Sequence, residues 1–337
     1  MKWVGYAAAV LSLAAGLRQA GKMVLDRMDA RGKIDALVSA ESLQLRGKDY
    51  SSAWRSLEQA SRIDPDSAKV RAAQQALAME WLENIHALEN ETFSDIAEKL
   101  EPVLTRGVQS ARSASGQADL LAHVGWSYFL RFRDGRFGLD PAGPYAEAVK
   151  KDANNPYAQA MWGHWILWNN GSIEDAEQHF ASALASNRQR AFVRQLQLAA
   201  LMNVNSEPYE NETIRVANAI RKEQGPIDPD MQRRIYSIYY SRLLRTDAST
   251  TLFVNAVPPA EHVATFRWLV DRMDLDESGS RFRSYYLSAL EEAAGQREEA
   301  LAGFREIERQ TRGPGRSGSL RDAAQAGIAR LSGKSGK

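Results

Sequence analysis

The sequence has no cysteine among its 337 residues. That excludes disulfides, thiolate zinc sites, cysteine nucleophiles and iron–sulfur ligation. It also lacks a surplus of either charge. Lys plus Arg number 43 and Asp plus Glu 42, whereas a protein that grips a phosphate backbone carries an evident basic excess. Nucleic acid is therefore not an expected partner. Histidines number five, none at HExxH or comparable ligand spacing, so no metal site is expected. GxSxG and GxxxxGK[ST] are both missing, and with them the nucleophile elbow and the phosphate loop. No cofactor and no catalytic residue is predicted. No segment sustains the period-2 alternation of β-branched residues that a sheet needs.

What the N-terminus does have is an uncharged apolar run, Trp3 to Leu17. As a helix it rises ~22 Å, short of the roughly 30 Å of bilayer hydrocarbon. Three readings follow. An uncleaved anchor would be lengthened by Met23, Val24 and Leu25 while Arg18 and Lys22 snorkel. A cleaved signal peptide would end at the small residues near Ser12 to Gly16. A buried first helix of a soluble protein is the third. Arg18, Lys22, Arg27, Arg31 and Lys33 outnumber Asp26 and Asp29 behind the run, which favours retention of the rest on the cytoplasmic side. A single N-terminal membrane anchor is the leading expectation and export the alternative.

Further along, small and bulky residues recur at fixed offsets. Gly171 is followed by Ala176, Phe180 and Ala183 at 5, 9 and 12 residues, and Gly295 by Ala300, Phe304 and Ile307 at the same offsets. A weaker copy runs from Gly47 through Ala53, Leu57 and Ala60, with Gly47 six residues before Ala53, which predicts a turn one residue longer. This ladder resembles the tetratricopeptide repeat family. The resemblance implies an all-α, right-handed solenoid of antiparallel helix pairs, each first helix lining an inner groove. It extends from about Lys33 to Thr311. Val124-Gly125-Trp126-Ser127-Tyr128 resembles the first helix of another unit, whose second helix carries Tyr145 and Ala148. Surplus residues between them fall in Asp134 to Pro141. Helix pairs are also expected over Ala68–Leu88 with Phe93–Arg106 and over Ala191–Met202 with Tyr209–Lys222, and another begins at Met231. Thr246 to Val257 reads as an extended loop. Leu320, Ala324, Ile328 and Leu331 share one face of a final capping helix. The expected organisation is 1–28 anchor or signal segment, 29–311 repeats, and 312–337 link, cap and basic tail.

The candidate site follows from the aromatic residues. Trp162, Trp165 and Trp168 lie at intervals of three on one predicted helix, and aromatic anchors dominate recognition surfaces. Trp162 flanks Gly163 at the helix crossing and reads as core. Trp165 and Trp168 read equally as groove or core. With Met161, and with Trp126 and Phe129 beside Gly125, they form the predicted groove: Trp126, Phe129, Met161, Trp165 and Trp168. Tyr236, Tyr239 and Tyr240 form a later cluster, expected to pack by the ring. His123 and His164 read as packed or solvated. The Asp134–Asp140 loop lacks the ligand alternation of a calcium loop and reads as a turn insertion able to touch a partner. The expected function is a non-catalytic scaffold, tethered to a membrane, that holds a protein or peptide. An enzyme or small-ligand carrier using the solenoid as a shell, and a self-assembling repeat protein, are the alternatives.

Overall fold

Apolar periodicity sets the helices, and short polar side chains set where they start. Asp49 accepts the backbone N–H of Ser52 at 3.0 Å, Ser113 that of Gly116 at 3.1 Å, and Ser172 that of Asp175 at 3.0 Å. Thr92 and Asp95 exchange side-chain-to-backbone bonds as a capping box. Each bond satisfies a donor that a first helical turn leaves open. The computed structural model describes residues 28–85, 91–204, 206–245, 256–275, 277–312 and 318–333. The Trp3–Leu17 segment, residues 246–255 of the expected extended loop, and Arg316, Lys334 and Lys337 of the basic tail lie outside them.

The described residues form helices and no β-strand: the chain is an all-α solenoid of helix pairs. By contact density it divides into two compact units, Met1–Ala158 and Gln159–Lys337. The first holds α1 (28–46) with α2 (Tyr50–Ile63), α3 (Ala68–Glu83) with α4 (Phe93–Ser110), and α5 (Ala114–Arg133) with α6 (Ala142–Lys151). Helix α7 (Pro156–Trp168) begins in the first unit with Pro156, Tyr157 and Ala158. The second unit holds it from Gln159 onward with α8 (Ile173–Ala185), then α9 (Arg190–Leu201) with α10 (Glu207–Lys222), α11 (Pro229–Arg245) with α12 (Pro259–Val270), and α13 (Glu277–Ala293) with α14 (Arg297–Gln310). It ends in α15 (Gly318–Leu331). Among the described residues no helix is long and apolar enough to cross a membrane.

The ladder read in the sequence is the buried face of the second helices. Ala53, Leu57 and Ala60 of α2, Ala176, Phe180 and Ala183 of α8, and Ala300, Phe304 and Ile307 of α14 are all fully buried. Their i, i+4, i+7 spacing places them on one stripe. Glycine admits the partner helix. A Cβ on Gly163 would lie 3.0 Å from the Ala176 carbonyl oxygen and 3.1 Å from the Phe180 ring, closer than carbon contacts settle.

The turns differ from the sequence reading in one respect. Helices α1, α7 and α13 close the same way: a residue with positive φ, then an N–H bonded back to the carbonyl five positions earlier. The positive-φ residues are Lys48 (57°), Asn170 (59°) and Gly295 (74°). The closing bonds are Asp49 to Gln44 (3.0 Å), Gly171 to Ile166 (2.7 Å) and Gln296 to Glu291 (2.9 Å), the pattern of a Schellman cap. Counted from these caps, the α1–α2 and α13–α14 turns match. The α7–α8 turn is the one that is a residue longer, the reverse of the expectation from Gly47. The error came from aligning glycines. In two of the three turns a non-glycine residue takes the left-handed position, and Gly171 sits one place later, where a Cβ would meet the Ile166 carbonyl oxygen at 2.8 Å.

Tyr145 of α6 supplies a test of packing. Its side chain is fully buried against α5, and its hydroxyl has no hydrogen-bond partner among the described residues. Burial pushes this phenol well above its usual range. A buried, unsatisfied hydroxyl is costly, so Tyr145→Phe is expected to stabilise the chain by about 1 kcal/mol. The measurement is the midpoint of urea unfolding. A loss instead of a gain would mean the hydroxyl is bonded.

Candidate functional site

The two aromatic residues expected on α5 face inward. Trp126 is 8% exposed, its indole N–H donates to the Leu82 carbonyl of α3 at 3.1 Å, and its ring stacks on Phe129 at 4.8 Å. Phe129 is buried as well. In the second unit Met161 is fully buried and Trp165 is 8% exposed. Trp168 keeps partial exposure and lies parallel to the His164 ring, 6.2 Å between centroids. Trp162 packs on His179 of α8 at 4.8 Å. Of the five predicted groove residues, Trp168 is thus the one whose ring reaches the surface appreciably.

The histidines are built into the packing. His123 is fully buried, with Nδ1 2.6 Å from the Asp119 carbonyl oxygen, Nε2 3.0 Å from Glu83, and the Tyr157 ring edge-on at 4.7 Å. Asn155 fixes the same corner. It is fully buried, its side-chain oxygen accepts the Ala158 N–H at 3.0 Å to start α7, and its amide donates to Asp119 at 2.6 Å. Sequence reading missed Asn155 because its acceptor lies 36 residues away. Beside Glu83, Glu80 is raised by burial and by the like charges of Glu83 and Glu41, and Tyr50 is raised by burial and by the same two α3 carboxylates. Among the described residues no group of three or more His, Asp or Glu is placed to hold a metal.

The tyrosine cluster packs by the ring. Tyr239 is fully buried and its hydroxyl lies 3.2 Å from His262 Nδ1. Tyr236 stacks on Phe266 at 5.9 Å, and burial raises its phenol. Tyr240 is 38% exposed and meets Tyr286 edge-on at 5.2 Å. The basic tail is partly neutralised: Arg330 holds Glu292 with two bonds, at 3.0 and 2.9 Å, and Arg312 lies 3.4 Å from Glu308.

The loop after α5 is the most distinctive surface element. Asp134 accepts the Ser94 N–H at 2.8 Å, and Arg136 reaches Asp95 at 2.7 Å and Glu98 at 2.5 Å. These bonds stitch the loop to the first two turns of α4. Between them and α6 stands Phe137, 74% exposed, touching Phe132 edge-on at 5.1 Å.

Comparison with known proteins adds one likeness. No family model matches the sequence, and no curated protein does. The chain is similar in structure to a tetratricopeptide repeat protein from Parabacteroides merdae ATCC 43184. The TM-score is 0.41 and the identity 13%, over 87% of this chain and 99% of that one. The helix-pair assignment rests on the packing described above rather than on this tetratricopeptide neighbour.

Three surface features escaped the sequence reading: the exposure of Phe137, and two cavities. One, of about 410 Å³ in the second unit, lies among Met202, Thr213, Arg234 and Ile238. The other is in the first unit, between α2, α3 and α4.

Proposed function

We propose that the chain is a non-catalytic protein–protein interaction scaffold that holds a peptide or a partner helix, tethered to a membrane through Trp3–Leu17. The observation that carries the reading is Phe137. A phenyl ring left in water gains nothing from burial, yet three bonds hold its loop in place. A large aromatic side chain fixed in advance loses little freedom when a partner covers it, and contacts of that kind carry most of the energy of an interface. In the second unit Trp168 is the proposed contact, and Met161 and Trp165, buried on the same helix, complete the proposed set. In the first, Trp126 and Phe129 are the proposed wall.

The test is a pull-down from lysate of the cells that express the protein, using the full chain, Phe137→Ala, Trp168→Ala and a form starting at Met28. Both alanine variants are expected to keep the helical circular dichroism. Retention of one or a few proteins should fall roughly thirtyfold in affinity, as loss of a contact of about 2 kcal/mol requires. The shortened form should leave the membrane fraction. Equal retention by wild type and both alanine variants would reject the proposed contacts.

A further inference from the structure

A cavity of about 380 Å³ lies between the end of α2, the first half of α3 and the last turns of α4. That is within the range of sites that take small ligands. Its polar lining is Ser61, Arg71, Gln74, Gln75, Arg106 and Ser110. Two guanidinium groups and two carboxamides thus meet there, and no carboxylate does. Pro65 and Val103 supply its apolar wall. Arg71, Gln74 and Gln75 are one stripe of α3, and Val103, Arg106 and Ser110 one stripe of α4, each by the i, i+3, i+4 relation.

The charges in this cavity are left largely unneutralised. Arg136, Arg190, Arg194, Arg267 and Arg330 each sit within 3 Å of a carboxylate. Arg71 instead reaches the Pro65 carbonyl at 3.3 Å and lies 3.7 Å from Asp66, a fully exposed side chain. Arg106 has no ion pair among the described residues. Gln74 adds a polar group to the same wall. It is only 9% exposed as a residue, it lines the cavity, and its carboxamide is not among the buried groups left without a partner, so its donors and acceptor open onto the cavity solvent. Gln75 lies across α4 beside it: a Cβ on Gly107 would be 3.0 Å from its Cδ and 3.1 Å from its Nε2.

Helix ends do not reverse the sign. The C-termini of α2 and α4 bring roughly half a negative charge each and the N-terminus of α3 roughly half a positive one. Against the two guanidinium charges the balance stays positive. Guanidinium forks match the oxygens of phosphate and carboxylate groups, and amide and hydroxyl donors complete such a shell.

We propose that this cavity binds an oxyanion carried on a small apolar body, a phosphate monoester or a carboxylate, with Arg71, Arg106 and Gln74 holding its oxygens and Pro65 and Val103 its body. The site is independent of the scaffold contacts at Phe137 and Trp168.

The experiment titrates the full chain by calorimetry with inorganic phosphate, phenyl phosphate, benzoate and, as the neutral control, benzyl alcohol. Saturable binding of phenyl phosphate or benzoate is expected, tighter than inorganic phosphate, with none for benzyl alcohol. Whichever of the two binds more tightly identifies the oxyanion. Arg106→Gln, on an exposed helical position, should weaken it at least about tenfold, the effect of one charge-assisted hydrogen bond. Gln74→Leu should also weaken binding while the urea midpoint is kept, a pairing that a purely structural glutamine would not give. Absence of binding by every anion, or binding unchanged in Arg106→Gln, would overturn the proposal.

Discussion

Replacing Phe304 with alanine is expected to cost about 3–5 kcal/mol, the range for deleting a fully buried aromatic ring. Three helices meet on this ring. Phe304 stands on α14 between Ala300 and Ile307, Leu320 and Ala324 of α15 join the same buried cluster, and Tyr285 of α13 lies 5.8 Å away. Gly327 of α15 brings its backbone so near that a Cβ there would sit 2.7 Å from Cε2 of the ring. No single neighbour can collapse into the space left by Phe304→Ala without parting from another. In a linear array each helix pair is held by its neighbours alone, so the loss should be local as well as large. Amide hydrogen exchange should accelerate across α13–α15 while the helices of the first unit keep their protection. Uniform acceleration through the chain would show that the array unfolds as one cooperative block.

The same residue shows what was legible in the sequence. Phe304 and Phe180 announced themselves because their neighbours at −4 and +3 are small or aliphatic and the helix period forces all three onto one face. The pairing of helices, and hence the fold, followed from that. The turn register was less legible because the left-handed position accepts Asn170 and Lys48 as well as Gly295. A glycine nearby then marks a close approach instead.

The candidate site was harder to read, and for a different reason. Helix α7 reads Tyr157-Ala158-Gln159-Ala160-Met161-Trp162-Gly163-His164-Trp165-Ile166-Leu167-Trp168. A helix apolar on every side shows no preferred face, so no spacing rule separates Trp165, 8% exposed, from the more open Trp168. Trp126 is buried by a carbonyl acceptor 44 residues earlier. The cavity of the first unit needs side chains from three helices, and each of them alone resembles a solvated polar stripe. Phe137 sits in a stretch rich in glycine and charge, where composition says only that a turn is present.

Gly125 and Tyr145 give the second large effect, with a sign that depends on the partner. Tyr145→Ala is expected to cost about 3–5 kcal/mol, since the ring is fully buried and leaves a cavity against α5. Gly125→Ala should also destabilise the intact chain. Its Cβ would lie 2.5 Å from Cε1 and 2.7 Å from Cδ1 of Tyr145, at least about 1 Å inside ordinary carbon contact. A fully buried ring cannot swing away, so overpacking of about 1–3 kcal/mol is opposed by only about 1 kcal/mol of improved helix propensity. Once the ring is gone the clash disappears while the propensity gain remains, and the added methyl occupies part of the cavity. In the Tyr145→Ala background, then, Gly125→Ala should stabilise by roughly 1 kcal/mol. The two changes are strongly non-additive, and urea unfolding of the four chains in a double-mutant cycle reads the coupling directly. A Gly125→Ala effect of the same sign and size in both backgrounds would mean that the ring does not rest on the glycine. The close approach of α5 and α6, on which the unit carrying the Phe137 loop is built, would then have another cause.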